Sequence, residues 1–247
     1  MRAIWKGAIS FGLVNIPISL YTATRREELS FRLLRKSDLS PINYKRVAEA
    51  DGKEVPWEEI VKGYEYEKGR YVVLKEDDFR RADIEATQSV DIMEFVPLEE
   101  IDPIFFDKPY YLEPQKKGSK AYALLRDALK ESEQVGIAKV VIKTRQHLAA
   151  LKPNQNALVL ELMHFAEELV DSQALQIPGQ IDLSTKEMQM AQELINRMTD
   201  HWKPEKYTDD YRHALLDLIQ KKIDLGGREL PTEGTSRKQS PKVIDLV

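Results

Sequence analysis

The side chains able to do chemistry in this 247-residue chain are few and scattered. The histidines are His147, His164, His201 and His213, and no H-E-x-x-H run carries any of them. Glu161 and His164 form one Glu-x-x-His pair. A carboxylate-bridged metal pair needs that motif twice, with two further inward glutamates on helices. The single copy here lies in a segment that reads as a strand, so a structural or exposed histidine is expected. Asp77-Asp78 and Asp209-Asp210 are adjacent acids. On a helix such neighbours point about 100° apart, so they do not converge on one proton or metal, and they fit helix starts better. The chain has no cysteine, which excludes a disulfide scaffold, a thiolate zinc site, an iron–sulfur cluster and a cysteine nucleophile. No phosphate-cradling G-x-x-x-x-G-K-S/T, no dinucleotide G-x-G-x-x-G and no G-x-S-x-G elbow occurs. We expect neither an enzyme nor a cofactor.

Charge is the remaining chemical signal. The formal net charge is −4, from 37 basic and 41 acidic residues, and taken alone it argues against a polyanion as partner. By segment the balance alternates: +6 over residues 1–48, −11 over 49–113, +6 over 114–155, −6 over 156–225 and +1 over 226–247. A fold that brings the two basic segments together would attract phosphate while acid elsewhere keeps the protein in solution. No apolar stretch is long enough to span a membrane, and the N-terminus lacks a long apolar core of a signal peptide, so a cytoplasmic protein is expected.

The elements that must position these charges read as strands followed by helices. Residues 3–21, with Gly7, Gly12 and Pro17, suit short strands bent at glycines. Phe31–Lys36 and Ile42–Ala48 are strand candidates, with a turn at Asp51-Gly52. Pro56 opens a short helix over Trp57–Val61 that Gly63 stops. Lys68-Gly69 divides Tyr64–Glu67 from Arg70–Leu74 as a hairpin. Val90–Val96 and Ile104–Leu112 are further strands. Ser119 suits the cap of a helix carrying Tyr122, Leu125 and Leu129. Ile137–Lys143, His147–Leu151 and Ala157–Phe165 are three closely spaced strands, with Pro153–Asn156 as a turn. About eight strands suggest a barrel or sandwich decorated by helices. From residue 184, Ser184-Thr185-Lys186-Glu187 is a capping box, and Met188, Ala191, Ile195, Met198 and Trp202 form an apolar stripe. Thr208 suits the cap of a second helix carrying Tyr211, Ala214, Leu215, Leu218 and Ile219, stopped by Gly226-Gly227. Residues 228–240 read as a flexible tail, after which Lys242–Val247 turns apolar.

Long blocks of this sequence resemble the prokaryotic Ku family, the DNA-end-binding component of bacterial non-homologous end joining. They include Arg2-Ala3-Ile4-Trp5-Lys6-Gly7-Ala8-Ile9-Ser10-Phe11-Gly12, Tyr44-Lys45-Arg46-Val47, Asp51-Gly52-Lys53-Glu54-Val55-Pro56 and Ile60-Val61-Lys62-Gly63-Tyr64-Glu65-Tyr66. Further along come Phe106-Asp107-Lys108-Pro109-Tyr110-Tyr111-Leu112, Thr144-Arg145-Gln146-His147-Leu148 and Pro204-Glu205-Lys206-Tyr207-Thr208-Asp209-Asp210-Tyr211. The resemblance spans about residues 2–225. It implies a mixed, mainly β fold: a Ku-type β-barrel core with a bridging insertion over residues 1–180, a C-terminal α-helical segment over 181–226, and a tail over 227–247 that starts the family's ligase-recruiting region. It implies a homodimeric ring threaded onto double-stranded DNA ends, contacting sugar and phosphate without reading sequence, protecting ends and recruiting an ATP-dependent DNA ligase, in the cytoplasm at the nucleoid and away from any membrane.

The resemblance does not assign the lining residue by residue. By charge and segment, the candidates are Arg32, Arg35, Lys36, Lys45 and Arg46 from the first basic segment, and Lys116, Lys117, Lys120, Lys143 and Arg145 from the second. Two departures stand out. Ala48 holds a position where the family often has cysteine, and Ser37–Asn43 is less basic than its usual counterpart.

Overall fold

The computed structural model describes residues 1–25, 27–82, 88–179 and 181–226. The chain divides into two compact units, with the division between Ile177 and Pro178.

The first unit is built on strands β1 (Trp5–Phe11) and β2 (Val14–Thr22), which form a hairpin turning at Gly12, where φ is +54°. After an insertion, which carries β3 and β4 described below, come β5 (Ser89–Pro97), β6 (Phe106–Pro114), β7 (Gln134–Ile142), β8 (Arg145–Asn154) and β9 (Ala157–Met163). These seven strands close into a barrel in the order β1-β2-β6-β9-β8-β7-β5. All neighbours are antiparallel except β1 and β5, whose parallel pairing, Ala8 opposite Ser89 and Ser10 opposite Asp91, seals the barrel.

Alternation along the strands decides the core. Ile16, Ile18 and Leu20 of β2, Ala138 and Val140 of β7, and Leu158, Leu160 and Leu162 of β9 face inward and are buried. Helix α2 (Ser119–Ser132) covers one end of the barrel with Tyr122, Leu125 and Leu129. At the other end the indole of Trp5 folds across Gly7 and donates Nε1–H to the Val141 carbonyl at 3.0 Å. A Cβ on Gly7 would lie 2.2 Å from that ring and 2.0 Å from the Gln88 carbonyl oxygen, so only glycine fits. Outside the barrel, the segment 98–105 covers a second apolar cluster around Val135, Ala150 and Met163.

The insertion between β2 and β5 holds the hairpin β3 (Lys62–Glu67) and β4 (Arg70–Leu74) and the short helix α1 (Glu76–Ala82). The hairpin turns at Lys68-Gly69 as its sequence predicts, with Gly69 at φ +77°. Phe31–Lys36 and Ile42–Ala48 are not strands. Each is one arm of a local loop that closes on itself through an isolated bridge, Leu34 to Pro41 and Val47 to Glu54. Apolar β-branched and aromatic residues give strand propensity, but among the described residues no partner strand pairs with them. Trp57–Glu59 forms only a single 3₁₀ turn, and Gly63 lies inside β3. Pro153 and Asn154 belong to β8, leaving Gln155-Asn156 as the turn.

Among the described residues, the second unit holds the helices α3 (Thr185–Met198) and α4 (Asp210–Asp224). The capping box is present: Glu187 N–H reaches Ser184 Oγ at 3.3 Å, and Ser184 N–H reaches Glu187 Oε2 at 2.7 Å. The cap of α4 is Asp209, whose Oδ1 accepts from Arg212 N–H at 2.9 Å, while Thr208 donates to Asp210. A carboxylate here gains from the helix dipole as a hydroxyl does not. Ser119 likewise does not cap α2. A 3₁₀ turn over Lys116–Gly118 runs straight into the helix, so Gly118 takes the cap and Ser119 is already helical. Trp202 falls beyond α3 and stacks on Tyr207, ring centroids 5.2 Å apart. Gly227 and residues 228–247 lie outside the described residues.

The Tyr122 hydroxyl donates to the Leu112 carbonyl at 2.7 Å and accepts from Leu158 N–H at 2.6 Å, joining β6, β9 and α2. Tyr122→Phe strands two buried backbone groups. We expect a loss of about 1–3 kcal/mol and a thermal midpoint lower by roughly 2–4 °C for each kcal/mol. An unchanged midpoint in denaturant and heat would show that the hydroxyl contributes nothing.

Candidate functional site

Barrel register decides which of the ten basic candidates can act together. The end of β2 at Thr22, the start of β5 at Ser89 and the β7–β8 turn all lie at one end of the barrel, because β1 runs antiparallel to β2 and parallel to β5, while Val90 pairs with Val140. This is the root end, where the insertion leaves and returns. Lys143 occupies the β7–β8 turn with φ +62°, and Arg145 opens β8 beside it. The opposite end carries the β1–β2 turn, the end of β6 and the start of α2. Lys116, Lys117 and Lys120 sit there, exposed. The second basic segment is therefore split between opposite ends of the barrel, because β7 runs from one to the other.

Arg32, Arg35, Lys36, Lys45 and Arg46 lie on the insertion. Two small loops present them. In the first, Arg35 N–H bonds Ser40 O at 2.9 Å and Ile42 N–H bonds Leu33 O at 3.0 Å. Asp38 organises this loop: its carboxylate pairs with the Arg35 guanidinium and accepts from Ser40 N–H and Oγ. These donors, Arg35 foremost, hold the Asp38 carboxyl well below the usual carboxylate range. In the second loop, Ala48 N–H bonds Lys53 O and Gly52 N–H bonds Ala48 O, both at 2.9 Å, with Gly52 at φ +69°. Ala48 serves here through its backbone. Lys45 pairs with Glu54 at 2.6 Å, and the Arg46 guanidinium lies 4.5 Å from the Trp57 ring centre.

The ten candidates thus fall into two kinds. Arg35, Lys45 and Arg145 are paired with acids and Arg46 is stacked on Trp57. Arg32, Lys36, Lys116, Lys117, Lys120 and Lys143 make no ion pair with any described residue. Charge counting missed Arg2 and Lys6, which line a cleft at the root end together with Trp5 and Tyr21. Their place in the first basic segment was the available signal.

The acids and histidines near Arg145 form a distinct group. Arg145 Nη2 lies 3.1 Å from Glu168 Oε1, whose other oxygen accepts from Phe165 N–H at 2.8 Å. His164 Nδ1 is 3.8 Å from Glu168 Oε2. Glu161, the partner in the Glu-x-x-His pair, is instead engaged by Lys152 at 2.9 Å on the outer face of β8 and β9. Among the described residues, no three His, Asp or Glu side chains are grouped so as to hold a metal ion, and no helix is long and apolar enough to cross a membrane.

A family model described as the Ku70/Ku80 beta-barrel domain matches residues 10–194. Among curated relatives, the "Non-homologous end joining protein Ku" of Opitutus terrae is 62% identical over 249 residues, which cover 100% of this chain and 88% of that protein. The protein of the same name from Coxiella burnetii is 44% identical, covering 100% of this chain and 91% of its own length. That of Bacillus subtilis is also 44% identical, covering 100% and 79%.

Burial lowers the pKa of His147, and the nearby Arg145 charge adds to the effect, against smaller opposing influences from Asp107 and Glu168. A histidine whose folded value is depressed is better protonated in the unfolded chain. Its contribution to stability is therefore complete above pH about 6.5 and declines as pH falls through that range. We expect the His147 ring to titrate below 6.5 in NMR spectra, and Arg145→Ala to move the midpoint upward. A midpoint at or above 6.5 in the unsubstituted protein would contradict this account.

Proposed function

The chain belongs to the Ku family, and on that footing we propose that it binds double-stranded DNA ends in bacterial non-homologous end joining. In this reading two copies form a ring that threads onto the end, shields it and recruits an ATP-dependent DNA ligase. The carrying observation is the insertion over residues 23–88. It leaves and re-enters the closed barrel at one end, bears five of the basic candidates, and exposes Phe31, Leu33, Tyr44, Trp57 and Tyr64 by 60% or more. A segment with that much apolar surface, and with no buried residue among those described, is built to lie against something else.

The second unit supports the dimer. No described residue from 181 to 226 is buried, and Leu194, Ile195 and Met198 of α3 are at least half exposed. Helices of this length are marginal in water without packing. A second copy supplies such a surface at fixed stoichiometry.

Capture of an open end by a ring requires no bond to be made or broken, so the role is one of binding, not catalysis. The ten basic residues would meet backbone phosphates, which fix position but carry no sequence information. Net acidity is compatible with this, because only the lining must be basic. Residues Val243–Leu246 in the tail are our candidate for docking the ligase, and the site of action is the nucleoid.

The test is a salt titration of the full chain on one sequence as linear and as covalently closed circular DNA. Sedimentation at micromolar concentration accompanies it. We expect a dimer that binds linear DNA alone, with affinity falling steeply as salt rises. Reversing Lys116, Lys117 and Lys120 to Glu together should weaken binding at least tenfold and flatten the salt slope by about 0.9 for each phosphate that is no longer neutralised. A monomer, or equal binding to both DNA forms, would overturn the ring. No binding to either form would overturn DNA as the partner. Unchanged affinity in the triple variant would remove that end of the barrel from the interface.

A further inference from the structure

Among the ten basic candidates, Arg145 differs in what holds it. Arg35 and Lys45 pair with acids inside their own loops, nine residues away at most. Arg145 pairs with Glu168, which follows β9 and approaches from a different element of the barrel. Glu168 is itself anchored: Oε2 accepts the Phe165 N–H at 2.8 Å, and Oε1 faces Arg145 at 3.1 Å. Releasing Arg145 therefore leaves the anchoring hydrogen bond intact. The guanidinium is about three-quarters exposed, the carboxylate about one-third. Arg145 stands at the root end beside Lys143, which makes no ion pair with a described residue. Any ligand enclosed by the insertion would be met by this turn.

A carboxylate on a guanidinium occupies the position a phosphate oxygen would take, since the planar fork recognises both anions with the same geometry. We infer that Glu168 is an internal competitor for Arg145: it holds the guanidinium in place without DNA and is displaced from it by a backbone phosphodiester when DNA binds. The inference rests on the DNA-end reading above. It has two consequences. Arg145 is kept extended and oriented toward the root end before DNA arrives, so less side-chain freedom is lost on binding. Each engagement of Arg145 must also break an existing pair, which lowers its net contribution and favours movement along the duplex over tight arrest.

The experiment compares affinity for one linear duplex, at two salt concentrations, among the full-length unsubstituted chain, Glu168→Gln, Glu167→Gln, Arg145→Ala and the double variant Arg145→Ala/Glu168→Gln. Glutamine at 168 still accepts from Phe165 N–H, so the local turn is retained, and thermal unfolding of each variant checks this. Glu167→Gln removes the same charge one residue away and measures the general electrostatic effect. Exposed ion pairs contribute about 0.2–1 kcal/mol. Loss of the competitor should therefore raise affinity about 1.4- to fivefold beyond any gain from Glu167→Gln. The gain should vanish in the Arg145→Ala background. Equal effects at 167 and 168, or a gain that persists without Arg145, would overturn the inference. Failure of the unsubstituted chain to bind linear DNA would instead overturn the function on which it rests.

Discussion

The parallel pairing of β1 with β5 is the constraint on which the remaining architecture depends. Six of the seven strand pairings in the barrel join antiparallel neighbours, three of them through short hairpin turns. The seventh joins the first strand to the one that follows the insertion. Because β1 is antiparallel to β2 and parallel to β5, the end of β2 and the start of β5 must emerge at the same end of the barrel. The insertion is therefore rooted at both ends over one opening, whatever its own conformation. Gly7 and Trp5 fill that seam. The ring of Trp5 lies where a side chain at position 7 would sit, and its indole N–H ties β1 across the opening to β7.

The same register organises the charge. Segment totals are blind to which end of a strand a residue occupies. Lys143 and Arg145 share an end with the insertion, and Lys116, Lys117 and Lys120 do not. Lys120 stands on α2 at the far end, and strand β7 carries the chain from there to the root end. The acids are placed with equal consequence. Asp38, Glu54 and Glu168 each neutralise one cation at close range, so local potential is lower than a count of lysines and arginines suggests.

What could be read from the sequence was whatever depended on neighbours in the chain. The β3–β4 hairpin followed from Lys68-Gly69 between alternating residues, and the start of α3 from Ser184 and Glu187. Closure into a barrel rests on pairings distant in sequence, and it followed from family resemblance; the strand candidates alone numbered about eight and left barrel and sandwich open, whereas seven strands close the barrel. Phe31–Lys36 and Ile42–Ala48 mislead because strand propensity describes a fit to a pleated neighbour. Here the Asp38 side chain and a left-handed Gly52 close the backbone locally before any neighbour is met. Trp202 continues the apolar stripe of α3 by spacing alone, yet the helix stops at Met198 and the indole finds Tyr207. At the candidate site, the basic residues were legible as charges. Their division between ends, the stacking of Arg46 on Trp57 and the pairing of Glu168 with Arg145 were not, since each depends on residues brought together by turns and register.

The insertion raises an energetic question that its small loops answer in part. Ordering a residue costs about 1–2 kcal/mol of backbone entropy, and an uncored segment that had to be ordered wholly on contact would bind weakly. The two loops and the hairpin are already closed by their own hydrogen bonds, with Asp38, Glu54 and Trp57 holding a cation in each loop. Most of the ordering is therefore complete before any partner arrives. Loops closed by their own hydrogen bonds, each presenting a cation, suit a surface whose charge is regular and whose detailed identity varies. Contacts to a repeating phosphate backbone ask for that combination, whereas direct reading of bases would demand side chains fixed to within a hydrogen bond's tolerance.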